Sequence, residues 1–254
     1  MSRRSDWWGR ISRACGRTSP SSSSEHAAPE ASEPVGSLPA LMQAVVAAAT
    51  PRRLAHLTLS DDPFVHRLTP ALAREAVEAG LTAGRAAAEM AAVRWRRDPE
   101  GIAAALNVSI TRSHAPAQTG HAVLFSEYGD RPPVIVLHMQ SIAEANRLIC
   151  EHDLGRLLCV RDVEPLHLAH EIYHHLESQR LTPGTLAFRI SSCRVGPFRF
   201  RTALPSLSEI AANQFAAILL GLAVPPRAIE FVTVYRLNAA YAWDLLQRLE
   251  ALPT

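Results

Sequence analysis

Residues 170 to 174 read His-Glu-Ile-Tyr-His, inside the stretch Pro165-Leu-His-Leu-Ala-His-Glu-Ile-Tyr-His-His-Leu-Glu177. On a helix, positions i and i+4 lie nearly one above the other. His170 and His174 can therefore present both imidazoles to one metal ion. Glu171 then sits beside the ion but off the ligand face, where it can take a proton from a bound water. Shuffling a chain with this His and Glu content yields such a pentapeptide about 0.03 times, so the spacing is informative. A surface helix with clustered histidines is the plain alternative.

Two histidines do not make a catalytic zinc site, which needs a third protein ligand and an open fourth position. Glu209, in Ser206-Leu-Ser-Glu-Ile-Ala-Ala-Asn-Gln-Phe-Ala-Ala-Ile-Leu-Leu220, is the strongest candidate. The small residues Ala211 and Ala212 let its helix come close to another. Asn213, one turn on, is placed to hydrogen-bond the Glu209 carboxylate, and Glu177, one turn after His174, to orient that imidazole. Ser206 and Glu209 also form an S-x-x-E pattern, which a helix-capping box alone explains. Local sequence leaves these two readings open.

The pair of motifs, His170-Glu-Ile-Tyr-His174 followed by Glu209-x-x-Ala-Asn-x-Phe-Ala216 and an Ile-Leu-Leu tail, resembles the ImmA/IrrE family of metallopeptidases. The resemblance covers about residues 99 to 222, with its specificity in the two motifs. It implies a zincin-like core with a β-hairpin ahead of the HExxH helix. It also implies Zn2+ held by His170, His174 and Glu209, with Glu171 as catalytic base. The sequence departs from the family at Tyr173, where Gly is usual, and at Gly221-Leu222, where Met-Pro is usual.

The elements that must position these residues follow from pattern and punctuation. Residues 1 to 36 are Arg-rich, then Ser-rich, then rich in Pro, Ala and Glu, and are expected to be disordered. Trp7 and Trp8 are the aromatic exception there. Residues 37 to 98 read as a helical region, with helices over Leu38 to Ala49 and Pro70 to Arg97, the latter interrupted at Gly80 and Gly84. Residues 99 to 254 are expected to form the metallopeptidase domain. Within it, a helix covers Pro99 to Leu106, strands cover Ala122 to Glu127 and Val134 to His138, and helices cover Ser141 to Leu158, Val163 to Gln179, Ser206 to Leu220 and Val232 to Leu249. Arg189 to Phe200 is mixed. The class is α+β, mostly helical, with a small antiparallel sheet beside the HExxH helix.

Other chemistries fare worse. The chain has 254 residues, 48% of them hydrophobic, with 26 basic residues that are all Arg, so no Lys can form a Schiff base or serve a phosphate loop. A net charge of +2 gives no case for a nucleic-acid or membrane partner. Gly101 to Ile110 superficially suggests half of a helix-turn-helix, but a loop follows it. Cys15, Cys150, Cys159 and Cys193 lack metal-knuckle spacing, and the N-terminus lacks an apolar leader, so a cytoplasmic protein is expected. Glu164-x-x-His167 and Glu171-x-x-His174 are the repeated element of di-iron carboxylate bundles, but there the two copies lie on different helices. His138 has no local reason to be a ligand, and Tyr173, Tyr235 and Tyr241 read as core or surface residues before oxyanion stabilisers.

The functional expectation is a zinc-dependent endopeptidase acting on a protein or peptide substrate, with strand addition at Val134 to His138 as the binding mode. The resemblance adds that the substrate is a regulatory protein such as a repressor. The alternative is a catalytically silent, metal-stabilised scaffold that keeps the fold.

Overall fold

The computed structural model describes residues 36–115, 118–119, 122–182, 184–195 and 198–254. The tail of residues 1–35, with Trp7 and Trp8, lies outside the described residues. Four α-helices open the described residues: α1 (Leu38–Ala48), α2 (Pro51–Ser60), α3 (Pro70–Trp95) and α4 (Pro99–Ala105). Each begins on a polar side chain, Ser37, Thr50, Thr69 or Asp98, that accepts a first-turn N–H, and each carries a proline in that turn. Cap and proline together satisfy or remove the orphan donors at a helix start.

Gly80 and Gly84 do not interrupt α3, contrary to the sequence expectation; the helix runs unbroken for 26 residues. Both face the helix α8 (Pro205–Leu220). A Cβ at Gly84 would stand 2.3 Å from the Ala211 carbonyl oxygen, and one at Gly80 would meet Ile210 at 2.8 Å. The glycines are there for close helix approach, which outweighs their poor helix propensity.

A three-stranded sheet follows, built from β1 (Ser109–Ser113), β4 (Ser126–Asp130) and β5 (Pro133–His138) in the order β1-β5-β4, with a small β2 (Gln118–Thr119) and β3 (Ala122–Val123) ribbon between. The sheet is mixed, which corrects the antiparallel expectation. β4 and β5 form the antiparallel hairpin, but β1 pairs parallel to β5, from Ser109 opposite Val134 to Ser113 opposite His138. The pairing puts β5 in the centre and leaves β1 and β4 at the edges. The strand expected over Ala122 to Glu127 is likewise displaced, since pairing carries β4 through Tyr128 and Gly129 to Asp130.

Helix α5 (Met139–Glu151) and the short α6 (Gly155–Leu158) stand where the sequence pattern suggests one helix; the left-handed Asp153 separates them. Helix α7 (Glu164–Ser178) carries the HExxH motif. The mixed segment after it is a hairpin of β6 (Arg189–Val195) and β7 (Phe198–Ala203), which leads into α8. Helices α9 (Pro226–Leu237) and α10 (Ala239–Glu250) end the fold, divided at Asn238, whose side chain caps Tyr241.

The fold is α+β and mostly helical. One apolar core runs from Leu38 and Met42 through Ile135, Ile172 and Phe215 to Leu249, so the helices of residues 38–95 share it with the rest. α7 lies inside this core, with β4 and β5 on one side and α8 on the other. Its residues from Glu171 to Glu177 are all buried, so its polar groups must find partners within the protein. No helix among the described residues is long and apolar enough to cross a membrane.

Candidate metal centre

One turn of α7 separates His170 from His174, and their rings meet edge to face with centroids 4.9 Å apart. Their Nε2 atoms lie 3.1 Å from each other. α8 crosses at this point and delivers Glu209, whose Oε2 is 3.2 Å from His170 Nε2 and whose Oε1 is 3.5 Å from His174 Nε2. One ligand atom from each residue falls within 4.8 Å of the others, the one such group of three among the described residues. The trio can hold a metal ion.

The capping-box reading of Ser206 and Glu209 does not fit. α8 starts at Pro205, after Leu204, with no side-chain cap from its own sequence. The Ser206 hydroxyl is buried without a hydrogen-bond partner among the described residues. The helix start is instead held by Asp62, whose carboxylate accepts from the Ser206 N–H at 3.0 Å and from the Phe64 N–H at 2.8 Å. Glu209 is thereby released to face α7.

Electrostatics in the cluster describe an ion pair between His170 and Glu209. Burial pushes the His170 imidazole down, but the hydrogen bond and charge of Glu209, aided by Glu171 and Glu230, outweigh it and lift it to about 9. Burial likewise works against the Glu209 carboxylate, and the two histidines overcome it, holding Glu209 well below the ordinary carboxylate range. In the metal-free protein His170 is thus protonated at neutral pH, with Glu209 as its counter-ion. A cation bound by the three residues replaces that proton.

Glu171 turns away from the trio toward the sheet, where its Oε1 accepts from the Ser126 hydroxyl at 2.7 Å. Ser126 starts the edge strand β4. A cleft opens there, lined by Phe125, Ser126, His170, Glu171, Asn213 and Glu230 among others. His167 also lines it, with its ring stacked on Phe125 at 4.2 Å. Burial, with help from the His170 charge, depresses His167 to about 3, so it is neutral.

Glu177 is linked to His174 through an intermediary. Its Oε2 accepts from the Ser208 hydroxyl at 2.6 Å, and that hydroxyl lies 3.1 Å from His174 Nδ1. Asn213 does not bond the Glu209 carboxylate, as expected from sequence; its Nδ2 donates to the Glu209 backbone carbonyl at 3.0 Å. Helical geometry explains the difference, because a side chain at i+4 reaches the main-chain oxygen of residue i more readily than a side chain aimed at another helix.

The remaining polar residues disperse. Glu164 pairs with Arg112, away from the trio, so the two E-x-x-H elements do not converge. His138 pairs with Glu127, and His175 meets the Tyr128 hydroxyl. Tyr173 is fully buried, its ring between those of His174 and Phe215, and Tyr235 bonds the Gly36 carbonyl. Sequence reasoning missed Ser126, Ser208 and Glu230. Ser208 alone left a signal, standing beside Glu209; Ser126 and Glu230 are brought in by tertiary packing, and Glu230 is ion-paired with Arg227. Comparison with protein-family models, with curated proteins and with solved structures finds no match to this chain.

Proposed function

We propose that the chain is a zinc-dependent endopeptidase that cleaves a protein substrate, the reading its ImmA/IrrE-like motifs suggest. The observation that carries it is the meeting of His170, His174 and Glu209, with His170 and the adjacent Glu171 both lining a cleft. Two imidazoles and one carboxylate suit zinc better than calcium or magnesium, which take oxygen ligands. Tetrahedral ligands at ~2.0–2.1 Å from zinc stand roughly 3.3 Å apart. The separations of 3.1, 3.2 and 3.5 Å among the three side chains bracket that value, the last two from different Glu209 oxygens.

Such an ion supplies Lewis-acid polarisation of a peptide carbonyl and acidifies a water. The chain's own residues do the rest. His170, His174 and Glu209 hold the ion. Glu171 keeps Oε1 on Ser126 and has Oε2 to take a proton from water in the cleft and return it to the departing amine nitrogen. The peptide would lie along β4, the edge strand next to α7, and not along β5, which is paired on both sides. The cleft lined by Glu171 favours this reading over a silent scaffold, which has no use for a base there.

The test compares protein processing in cells carrying the wild-type gene and Glu171→Gln, by profiling new N-termini. A wild-type-specific set of cleavages is expected. Identical profiles from two folded, metal-bearing proteins would return the scaffold reading.

A further inference from the structure

We propose that Ser208 is a positioning residue of this centre, fixing which nitrogen of His174 is offered to a metal. The inference rests on the metal site proposed above. Its basis is a buried chain of hydrogen bonds whose direction is set at one end. Thr185 donates to Glu177 Oε1 twice, from its backbone N–H at 3.1 Å and from its hydroxyl at 2.6 Å. Ser208 meets the other oxygen at 2.6 Å. A carboxylate can only accept, so the Ser208 hydroxyl must donate to Glu177.

With its proton committed to Glu177, Ser208 can only accept from His174, 3.1 Å away at Nδ1. His174 must then carry its proton on Nδ1 and present a bare Nε2. That Nε2 is the atom facing His170 and Glu209. The hydroxyl thus transmits the orienting effect of Glu177 to His174. All four groups are buried, so water does not take over the contacts.

The relay also joins three separate parts of the chain. Glu177 comes from α7, Ser208 from α8, and Thr185 from the short 3-10 turn Thr185–Ala187 that precedes β6. The crossing of α7 and α8 that creates the ligand trio is therefore the crossing that places Ser208 between His174 and Glu177. Ser208 meets the second histidine at Nδ1, and Glu209, its neighbour in sequence, faces the opposite nitrogen.

The experiment measures Zn2+ affinity of the full chain, by competition with a chromophoric chelator, in the wild type, Ser208→Ala, Ser208→Thr, Glu177→Gln and the Ser208→Ala/Glu177→Gln double variant. Loss of such an orienting partner weakens binding by roughly 10–100-fold. Ser208→Ala is expected to show that loss, and Ser208→Thr, which keeps the hydroxyl, to stay within a few-fold of wild type. The double variant should bind no more weakly than the weaker single, because both substitutions cut one chain.

A second readout needs no metal. Nitrogen NMR of the metal-free chain should show His174 protonated at Nδ1 in the wild type and a mixture of tautomers in Ser208→Ala. Unchanged Zn2+ affinity and tautomer in Ser208→Ala would overturn the proposal, as would additive losses in the double variant. A lower melting temperature with wild-type affinity would reduce Ser208 to a packing residue and overturn it equally. Failure of the wild type itself to bind Zn2+ would instead sink the metal reading, and the tautomer measurement would then judge the relay alone.

Discussion

Asp62 Oδ2 accepts a hydrogen bond from the backbone N–H of Ser206, 144 residues further along the chain. The contact anchors the first turn of the helix that carries both Ser208 and Glu209. Its other oxygen holds the Phe64 N–H, so one buried carboxylate fixes two segments. Asp62→Ala leaves both donors without this acceptor, and an unmet buried donor costs about 1–3 kcal/mol. Urea denaturation should show a loss in that range, and Asp62→Asn, which keeps one acceptor oxygen, a smaller one. A change under about 0.5 kcal/mol in Asp62→Ala would show that α8 does not depend on this cap.

Gly84→Ala tests the approach of α3 to α8. Alanine improves helix propensity by about 1 kcal/mol, yet its Cβ would sit 2.3 Å from the Ala211 carbonyl oxygen, a backbone atom that cannot rotate away. Overpacking of this kind costs about 1–3 kcal/mol, and the net effect should be destabilising. Gly155→Ala is the control, because its nearest neighbour is the Arg161 side chain at 3.5 Å, an ordinary contact. Equal effects from the two substitutions, read from melting temperatures, would contradict the close-packing role.

Metal binding should release a proton. With His170 raised to about 9 in the metal-free protein, occupancy of the site at pH 7 to 8 displaces about one proton per chain. Affinity should then rise about tenfold per pH unit up to about 9. Calorimetry in buffers of different ionisation enthalpy counts the protons, and a pH-independent affinity would contradict the account.

The same shifts give opposite stability windows in the metal-free protein. His170, whose value is raised on folding, stabilises fully below its ordinary 6.5 and loses that contribution as pH climbs through about 9. Glu209, whose value is lowered, stabilises above the ordinary carboxylate range and loses its contribution as pH falls toward its depressed folded value. Denaturation at pH 6 and pH 9.5 should show the metal-free protein weaker at the higher pH, and Glu209→Gln should remove most of that difference.

What could be read from the residues in advance was the local part of the site. His170, Glu171 and His174 depend on the pitch of one helix, and the helix expected over Val163 to Gln179 lies within a residue of the observed Glu164–Ser178. Glu209 came from its resemblance, since nothing in its own segment says which helix it faces. What escaped depends on packing between distant segments. Gly80 and Gly84 look like helix breakers until α8 is laid against them. β5 reads as an edge strand because its parallel partner β1 lies across a crossover. Ser206 reads as a cap because the real one, Asp62, is far away in sequence.

Zinc retention is the direct test of the ligand trio His170, His174 and Glu209. The wild type, His170→Ala and Glu209→Ala, purified side by side and loaded with Zn2+, should be compared by elemental mass spectrometry after dialysis. About one zinc per chain is expected in the wild type and little in either variant, because two protein ligands do not make such a site. A folded wild type that retains no metal, or a Glu209→Ala variant that retains as much as the wild type, would contradict it.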